Sequence, residues 1–248
     1  MSKFNNKLAI VTGGNSGIGY ATAKELIAEG ANVIITGRRK EAIEKAAEEL
    51  GAIPFVADQG NLEDIENLKT DIEKQFGKVD ILFINAGITG KSDSIENMSS
   101  ENFDNVIDIN FKGAYFTLSK FIPLLNDGAS VVFLSSIVAS IYKPNSSVYQ
   151  ASKAALNSIA KTAAVELAPR KIRVNIVSPG PTKTEIMTKA GLDSKTLEGL
   201  NDWLTELIPL KKIGNPEDVA KAVVYLSDNN IASFMTGTEI VIDGGMIL

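Results

Sequence analysis

Hydrophobic positions in this chain fall into two kinds of stretch. Short unbroken apolar runs, of which Leu8-Ala9-Ile10-Val11-Thr12 is the first, put apolar side chains on both faces of an extended chain and mark strands buried on both sides. Between them lie longer stretches with apolar residues three and four apart, which mark helices with one face toward a core. The predicted order begins with strand Leu8 to Thr12, helix Ile18 to Glu29, strand Asn32 to Thr36, helix Lys40 to Leu50, strand Ile53 to Ala57 and helix Leu62 to Phe76. It continues with strand Val79 to Ile84, a long helix Asn102 to Leu125, strand Ser130 to Leu134, a helix through Tyr149 to Ala168 and strand Arg173 to Val177. An irregular helical segment Thr184 to Leu207, helix Pro216 to Ser227 and strand Glu239 to Ile242 complete the pattern. Gly30 and Gly51 close their helices, and Pro123 should kink or end the long one.

Strand and helix alternate throughout, which predicts an α/β fold: a Rossmann-type, doubly wound parallel sheet of about seven strands with helices on both faces. No Pro/Ser-rich linker or low-complexity tract interrupts residues 1–248, so a single domain is expected. Ligands of such sheets bind beyond the carboxyl ends of the strands. The chemistry is therefore sought in the loops after Thr12, Thr36, Ala57, Ile84, Leu134 and Val177.

Composition narrows the chemistry. The 248 residues are 44% hydrophobic, enough for one substantial core. Net charge is −5 and no basic cluster exceeds Gly37-Arg38-Arg39-Lys40, which argues against nucleic acid or an anionic membrane as partner. There is no Cys and no His, so thiolate nucleophiles, Cys/His zinc sites and Ser-His-Asp triads are excluded. No metal site is expected. Acid–base work at neutral pH must fall to Tyr, Lys, Asp or Glu. The run Leu8 to Val11 is too short for a signal-peptide core and no stretch has the length of a membrane span, so a cytoplasmic location is expected.

Each strand-end loop carries a candidate. Gly13-Gly14-Asn15-Ser16-Gly17-Ile18-Gly19 joins a strand to a helix, where glycines let backbone approach a pyrophosphate at a helix N-terminus. The spacing is G-x-x-x-G-x-G rather than G-x-G-x-x-G. Gly37-Arg38-Arg39 occupies the position where a dinucleotide fold would place a carboxylate for the ribose hydroxyls. An arginine fork suits a 2′-phosphate, so NADP(H) is expected, with NAD(H) still open. Asp58, beside Gln59, can accept from an adenine amino group, and Asn85-Ala86-Gly87 offers a small-residue loop on which a flat ring can lie. Ser136 follows the fifth strand and can donate to a carbonyl. Tyr149 and Lys153 stand four apart on one helix face, where an ammonium beside a phenol should lower the phenol's pKa. Ser136, Tyr149 and Lys153 can converge over a nicotinamide. Each of these also has a plain structural explanation as a turn, cap or surface pair.

Taken together, these motifs resemble the short-chain dehydrogenase/reductase family over essentially the whole chain. Thr12-Gly13-x-x-x-Gly17-Ile18-Gly19 is similar to the family's cofactor motif, Asn85-Ala86-Gly87 to its NAG motif and Tyr149-x-x-x-Lys153 to its catalytic motif. Asn110, Ser136, Tyr149 and Lys153 match the family tetrad in order and approximate spacing. Pro179-Gly180, with Thr182 and Thr184, matches the loop that holds the nicotinamide carboxamide. Two positions depart: Ile84 stands where an Asn often precedes NAG, and Ser16 where NADP-using members often have a basic residue.

The resemblance implies hydride transfer between the cofactor and a ketone or secondary alcohol. Ser136 would polarise the carbonyl and Tyr149 would supply the proton. Lys153 would hold the nicotinamide ribose, and Asn110 would anchor a relaying water. It also implies a homotetramer, to which Leu118, Phe121, Ile159 and the tail Gly244 to Leu248 are candidate contributors. Substrate contacts are expected from Ser136, Ile137, Tyr142, Tyr149, Met187 and Trp203, with residues 181–212 forming a lid. An apolar pocket would favour hydrophobic ketones or alcohols over sugars or anionic acids. Two alternatives stay open: a 3-oxoacyl-[acyl-carrier-protein] reductase, with Lys183, Lys189, Lys211 and Lys212 as a basic docking patch, and a non-catalytic NADP-binding sensor or scaffold.

Overall fold

The computed structural model describes residues 2–184 and 194–248. Seven parallel strands, β1 (Leu8–Thr12), β2 (Asn32–Gly37), β3 (Ile53–Val56), β4 (Val79–Ile84), β5 (Leu125–Leu134), β6 (Arg173–Pro179) and β7 (Glu239–Ile242), form one sheet in the order β3-β2-β1-β4-β5-β6-β7. The helices between them are α1 (Gly17–Ala28), α2 (Lys40–Leu50), α3 (Leu62–Gln75), α4 (Ser100–Ile107), α5 (Ala114–Phe121), α6 (Ser147–Leu167), α7 (Ser194–Leu207) and α8 (Pro216–Ser227). The strand order reverses between β1 and β4, whose carboxyl ends frame the crevice where such sheets bind ligands.

The unbroken apolar runs have the expected cause. Along β1, Leu8 and Ile10 enter a core with Ile72, Phe121 and Leu156, whereas Ala9 and Val11 enter another with Leu26, Ile43 and Val223. Successive residues face opposite sides of the sheet, so a strand with helices on both faces must be apolar at every position. The edge strand β3 escapes this requirement: its burial alternates, and it accommodates Pro54. Leu118 and Phe121 are buried in the core, so packing within the chain accounts for both.

One predicted element divides. The helix expected over Asn102 to Leu125 is α4, a π-helical turn Asp108–Gly113, α5 and a 3-10 turn Ile122–Leu124. A side chain on Gly113 would run into the Gln59 carbonyl, so glycine lets this helical turn pack against the loop after β3. The chain then enters β5 at Leu125. Pairing with β4 resumes in continuous register at Ser130, after the irregular stretch that carries Gly128 at φ +79°.

Candidate active site

The loops after β1 and β4 are stitched together. Thr12 Oγ1 accepts from the backbone N–H groups of Asn85 and Ala86, both at 3.0 Å. Asn85 Nδ2 donates to the carbonyls of Thr12 (2.8 Å) and Gly13 (3.1 Å). Asn85 thus shapes the glycine turn through its side chain. Gly13 and Gly17 have φ of +65° and +56°, and a side chain at Gly19 would collide with the Gly13 carbonyl.

Helix α1 starts at Gly17 with Ser16 as N-cap, no capping side-chain bond and no acidic residue in its first turn. Its N-terminal N–H donors therefore remain open to an anion, beside backbone with no side chain in the way. This cradle fits a dinucleotide pyrophosphate. Ile18 is buried in the core, so only its backbone can take part. Gly37 ends β2 within reach of Asn15: a side chain there would meet Asn15 Oδ1 at 3.1 Å. Arg38 and Arg39 are exposed, and neither makes an ion pair among the described residues.

The loop after β3 divides its two candidates. Asp58 Oδ1 accepts from Gly60 N–H at 2.9 Å, which leaves the second carboxylate oxygen for another donor. Gln59 instead points inward: its Nε2 donates to the carbonyls of Ala86 (3.0 Å) and Ile109 (3.1 Å). It braces the β4 loop against the π-helical turn.

That turn presents Asn110, which is fully buried. Its Oδ1 accepts from Ile88 N–H (2.8 Å), and its Nδ2 donates to the Ile88 carbonyl (2.7 Å) and to Ser152 Oγ (3.1 Å). Both amide hydrogens are committed, so only Oδ1 keeps capacity for a further donor. Ser152 in turn donates to the Tyr149 carbonyl at 2.8 Å, tying the π turn to α6. Lys153 Nζ donates to the Leu134 carbonyl at 2.9 Å and lies 5.9 Å from the Tyr149 ring centroid. A side chain on Gly87 would sit 3.1 Å from Asn110 Oδ1 and 3.5 Å from Lys153 Nζ. The bare glycine is what lets those two groups approach the same point.

Burial sets the electrostatics. It lowers the Lys153 ammonium from 10.5 to about 8. It also raises the Tyr149 phenol above its ordinary value, opposed by the hydrogen bond with Ser136. The expectation that Lys153 lowers the Tyr149 pKa is corrected here: desolvation pushes both groups toward their neutral forms, and the group that favours the phenolate is Ser136. Ser136 is buried at the end of β5, where its Oγ also accepts from Val138 N–H at 3.3 Å.

Tyr149 opens onto a cleft of about 400 Å³. Its apolar wall comes from Met98, Val106, Val138, Val148 and Leu200, and its polar rim includes Thr89, Lys91, Asn102, Lys143 and Asn145. Of the residues expected at the substrate, Ile137 is 5% exposed within the core, whereas Tyr142 and Trp203 are 91% and 54% exposed and line no part of the cleft. Met187 lies outside the described residues. Nothing in the local pattern of the 89–92 and 143–146 loops marks them as substrate contacts. Only their approach in space does: Asp93 N–H donates to the Asn145 carbonyl at 3.1 Å.

On the far side of the crevice, the loop after β6 folds back over the glycine turn. Gly180 N–H donates to the Ile242 carbonyl (2.9 Å), and a Cβ on Gly180 would meet Asp243. Thr182 is buried and donates to the Gly180 carbonyl at 3.0 Å. The Thr184 methyl lies 3.3 Å from where a side chain on Gly17 would start. Thr184 therefore borders the glycine turn, and Pro179, Gly180 and Thr182 precede it on the same loop. Among the described residues there is no cluster of potential metal ligands, and no helix is long and apolar enough to cross a membrane.

Comparison with known proteins gives concordant matches. A family profile described as Enoyl-(Acyl carrier protein) reductase matches residues 13–247. The chain is 37% identical to the 3-oxoacyl-[acyl-carrier-protein] reductase FabG of Staphylococcus epidermidis, covering 98% of this chain and 100% of that one. It is 34% identical to the cyclohexanol dehydrogenase of Acinetobacter sp. (strain SE19), covering 98% and 96%. The crystal structure of a short-chain dehydrogenase/reductase of unknown function from Caenorhabditis elegans, solved with cofactor, superposes with a TM-score of 0.93 at 30% identity, covering 98% and 96%.

Proposed function

Because the chain belongs to the short-chain dehydrogenase/reductase family of oxidoreductases, we propose that it interconverts a hydrophobic ketone and the corresponding secondary alcohol, with NADP(H) preferred over NAD(H). The observation that carries this reading is Tyr149 at the wall of a largely apolar cleft, hydrogen-bonded to Ser136 and beside Lys153 behind it, with Asn110 tied to the same helix through Ser152. The cofactor, when bound, supplies or accepts the hydride at the carbonyl carbon.

The chain's own residues do the rest. The open N-terminus of α1 and the Gly13 to Gly19 turn hold the pyrophosphate. The Arg38 guanidinium, exposed and free of ion pairs among the described residues, takes a 2′-phosphate. Asp58 would accept from the adenine amino group, a flat ring would lie against the Asn85 to Gly87 backbone, and Gly180, Thr182 and Thr184 would hold the carboxamide. Ser136 donates to the substrate oxygen and orients it. Tyr149 gives that oxygen its proton during reduction and removes it during oxidation. Lys153, anchored on Leu134, offers its remaining N–H groups to the ribose hydroxyls. Asn110 keeps one acceptor site for a water between Lys153 and solvent.

A second reading, reduction of a 3-oxoacyl-carrier thioester, draws support from the relative of that name. The basic patch it needs is weakened at Lys211, which pairs with Glu206 at 3.1 Å; Lys189 lies outside the described residues. The sensor reading draws nothing from the site, since Tyr149 and Lys153 are both in place. A homotetramer in the cytoplasm completes the proposal, with exposed Tyr115, Val165 and Phe234 as surface available for self-association.

The test is a set of initial rates with NADPH and NADH across ketones, diketones, sugars and acyl thioesters. Hydrophobic ketones should turn over fastest with NADPH. Dominance of the carrier thioester would transfer the assignment to the second reading, and inertness to every compound despite tight cofactor binding would overturn it.

A further inference from the structure

The cleft beside Tyr149 has two chemically different ends. Val106 and Val148 give it a buried apolar wall, while Lys91 and Lys143 stand at its exposed rim. Among the described residues, no Asp or Glu lines it and neither lysine makes an ion pair. The chain as a whole carries a net charge of −5. Two cations without ion pairs among the described residues, lining one cleft of an acidic protein, give that cleft a local positive potential.

The backbone under both lysines is fixed. The Asn102 side chain clasps Lys91, accepting from its N–H through Oδ1 and donating to its carbonyl through Nδ2, both at 2.9 Å. Gly90, at φ +70°, lies where a side chain would run into Val106 and Asn102, so this loop is pressed against α4. Across the cleft, the Lys143 carbonyl accepts from Gln150 Nε2 at 2.9 Å. The nearest acidic neighbour along the loop, Asp93, turns one carboxylate oxygen onto the Ser94 N–H at 2.8 Å. The two ammonium groups therefore start from anchored positions on opposite loops, and only their flexible stems remain to be ordered.

We infer that the cleft takes a carbonyl compound whose apolar body ends in an anion, a carboxylate in the simplest case, held between Lys91 and Lys143 while the carbonyl lies at Ser136 and Tyr149. This rests on the ketone reading above and narrows its substrate class. The selectivity arises at the rim, remote from the reacting carbon.

The experiment pairs 5-oxohexanoate, 7-oxooctanoate and 9-oxodecanoate with their methyl esters, which differ only in the charge. In low salt, kcat/KM for at least one acid should exceed that of its ester by about fivefold to tenfold, the range expected of two exposed charge contacts. About 0.5 M NaCl should shrink that ratio, and K91Q/K143Q should bring it to about one. Calorimetry with decanoate and methyl decanoate, which carry neither a ketone nor a hydroxyl, reads the same preference without turnover. Acid-to-ester ratios at or below one for all three lengths, or a ratio unaltered in K91Q/K143Q, would overturn the inference while ester turnover left the ketone reading intact. Failure of every acid and ester to react would sink the ketone reading, and with it the substrate class built on it.

Discussion

Residues 85–88 and 89–93 follow one another along the chain, yet they are held in different ways. The first group is pinned from inside: Thr12 takes the N–H groups of Asn85 and Ala86, Gln59 takes the Ala86 carbonyl, and Asn110 clamps Ile88 on both its N–H and its carbonyl. The second group is held at the surface, by Asn102 on Lys91 and by the Asp93 to Asn145 bond between loops. A buried polar network is costly to break, because each lost partner leaves an unsatisfied group away from water. Surface contacts exchange with solvent at little cost. The catalytic wall, where residues 85–88 meet Thr12, Gln59 and Asn110, is therefore stiff and intolerant of change, and the substrate rim of the cleft is adjustable.

Substitutions on the stiff wall should act on rate. Tyr149→Phe should lower kcat by about 10²- to 10⁴-fold while cofactor affinity stays within about threefold; unaltered turnover would remove Tyr149 from the chemistry. Gly87→Ala places a methyl 3.1 Å from Asn110 Oδ1 and 3.5 Å from Lys153 Nζ. Displacing either group should lower kcat by roughly tenfold or more, with a loss of about 1 kcal/mol in stability from overpacking. Unchanged kcat and melting temperature would show that the close approach over Gly87 is dispensable.

Lys153 gives a pH signature to the same wall. Burial lowers its pKa from 10.5 to about 8, so the charged form is disfavoured in the folded chain. The destabilisation is complete below about pH 8 and is relieved between about pH 8 and 10.5, where the unfolded chain binds more protons. Melting temperature should accordingly rise over that window relative to Lys153→Met, which lacks the titrating group. Parallel curves would mean that Lys153 is better solvated than its surroundings imply.

The rim should respond in binding alone. Leu200→Ala, which trims the apolar wall contributed by α7, should raise KM several-fold and leave kcat within about twofold. The smallest effect is expected from Tyr142→Ala and Trp203→Ala, whose side chains are largely exposed and off the cleft. Their kcat/KM should stay within about twofold of the parent. A tenfold loss at either would restore them as substrate contacts and erase the contrast between the two sides.

Strand and helix positions were legible because burial on two faces of a sheet imposes a local apolar pattern. All seven strands appear where Leu8, Asn32, Ile53, Val79, Ser130, Arg173 and Glu239 marked them, with β5 starting earlier, at Leu125. The π turn at Asp108–Gly113 was not legible, and neither was the close packing of Gly113 on the Gln59 carbonyl, which brings together residues far apart in sequence. Asp58 and Gln59 looked alike as strand-end polar residues, but only packing turned Gln59 inward.

What the sequence determined by itself is the alternation of strand and helix, the glycine turn, the Tyr149 and Lys153 spacing and the exclusion of Cys and His chemistry. Each of these is written in residues close together or in composition. Tertiary structure alone decided that Gly87 makes room for Asn110 and Lys153, that burial rather than Lys153 sets the Tyr149 phenol, and that Lys91 and Lys143 share a cleft. These depend on distances between segments that meet only after folding, and on desolvation, which no local pattern of residues encodes.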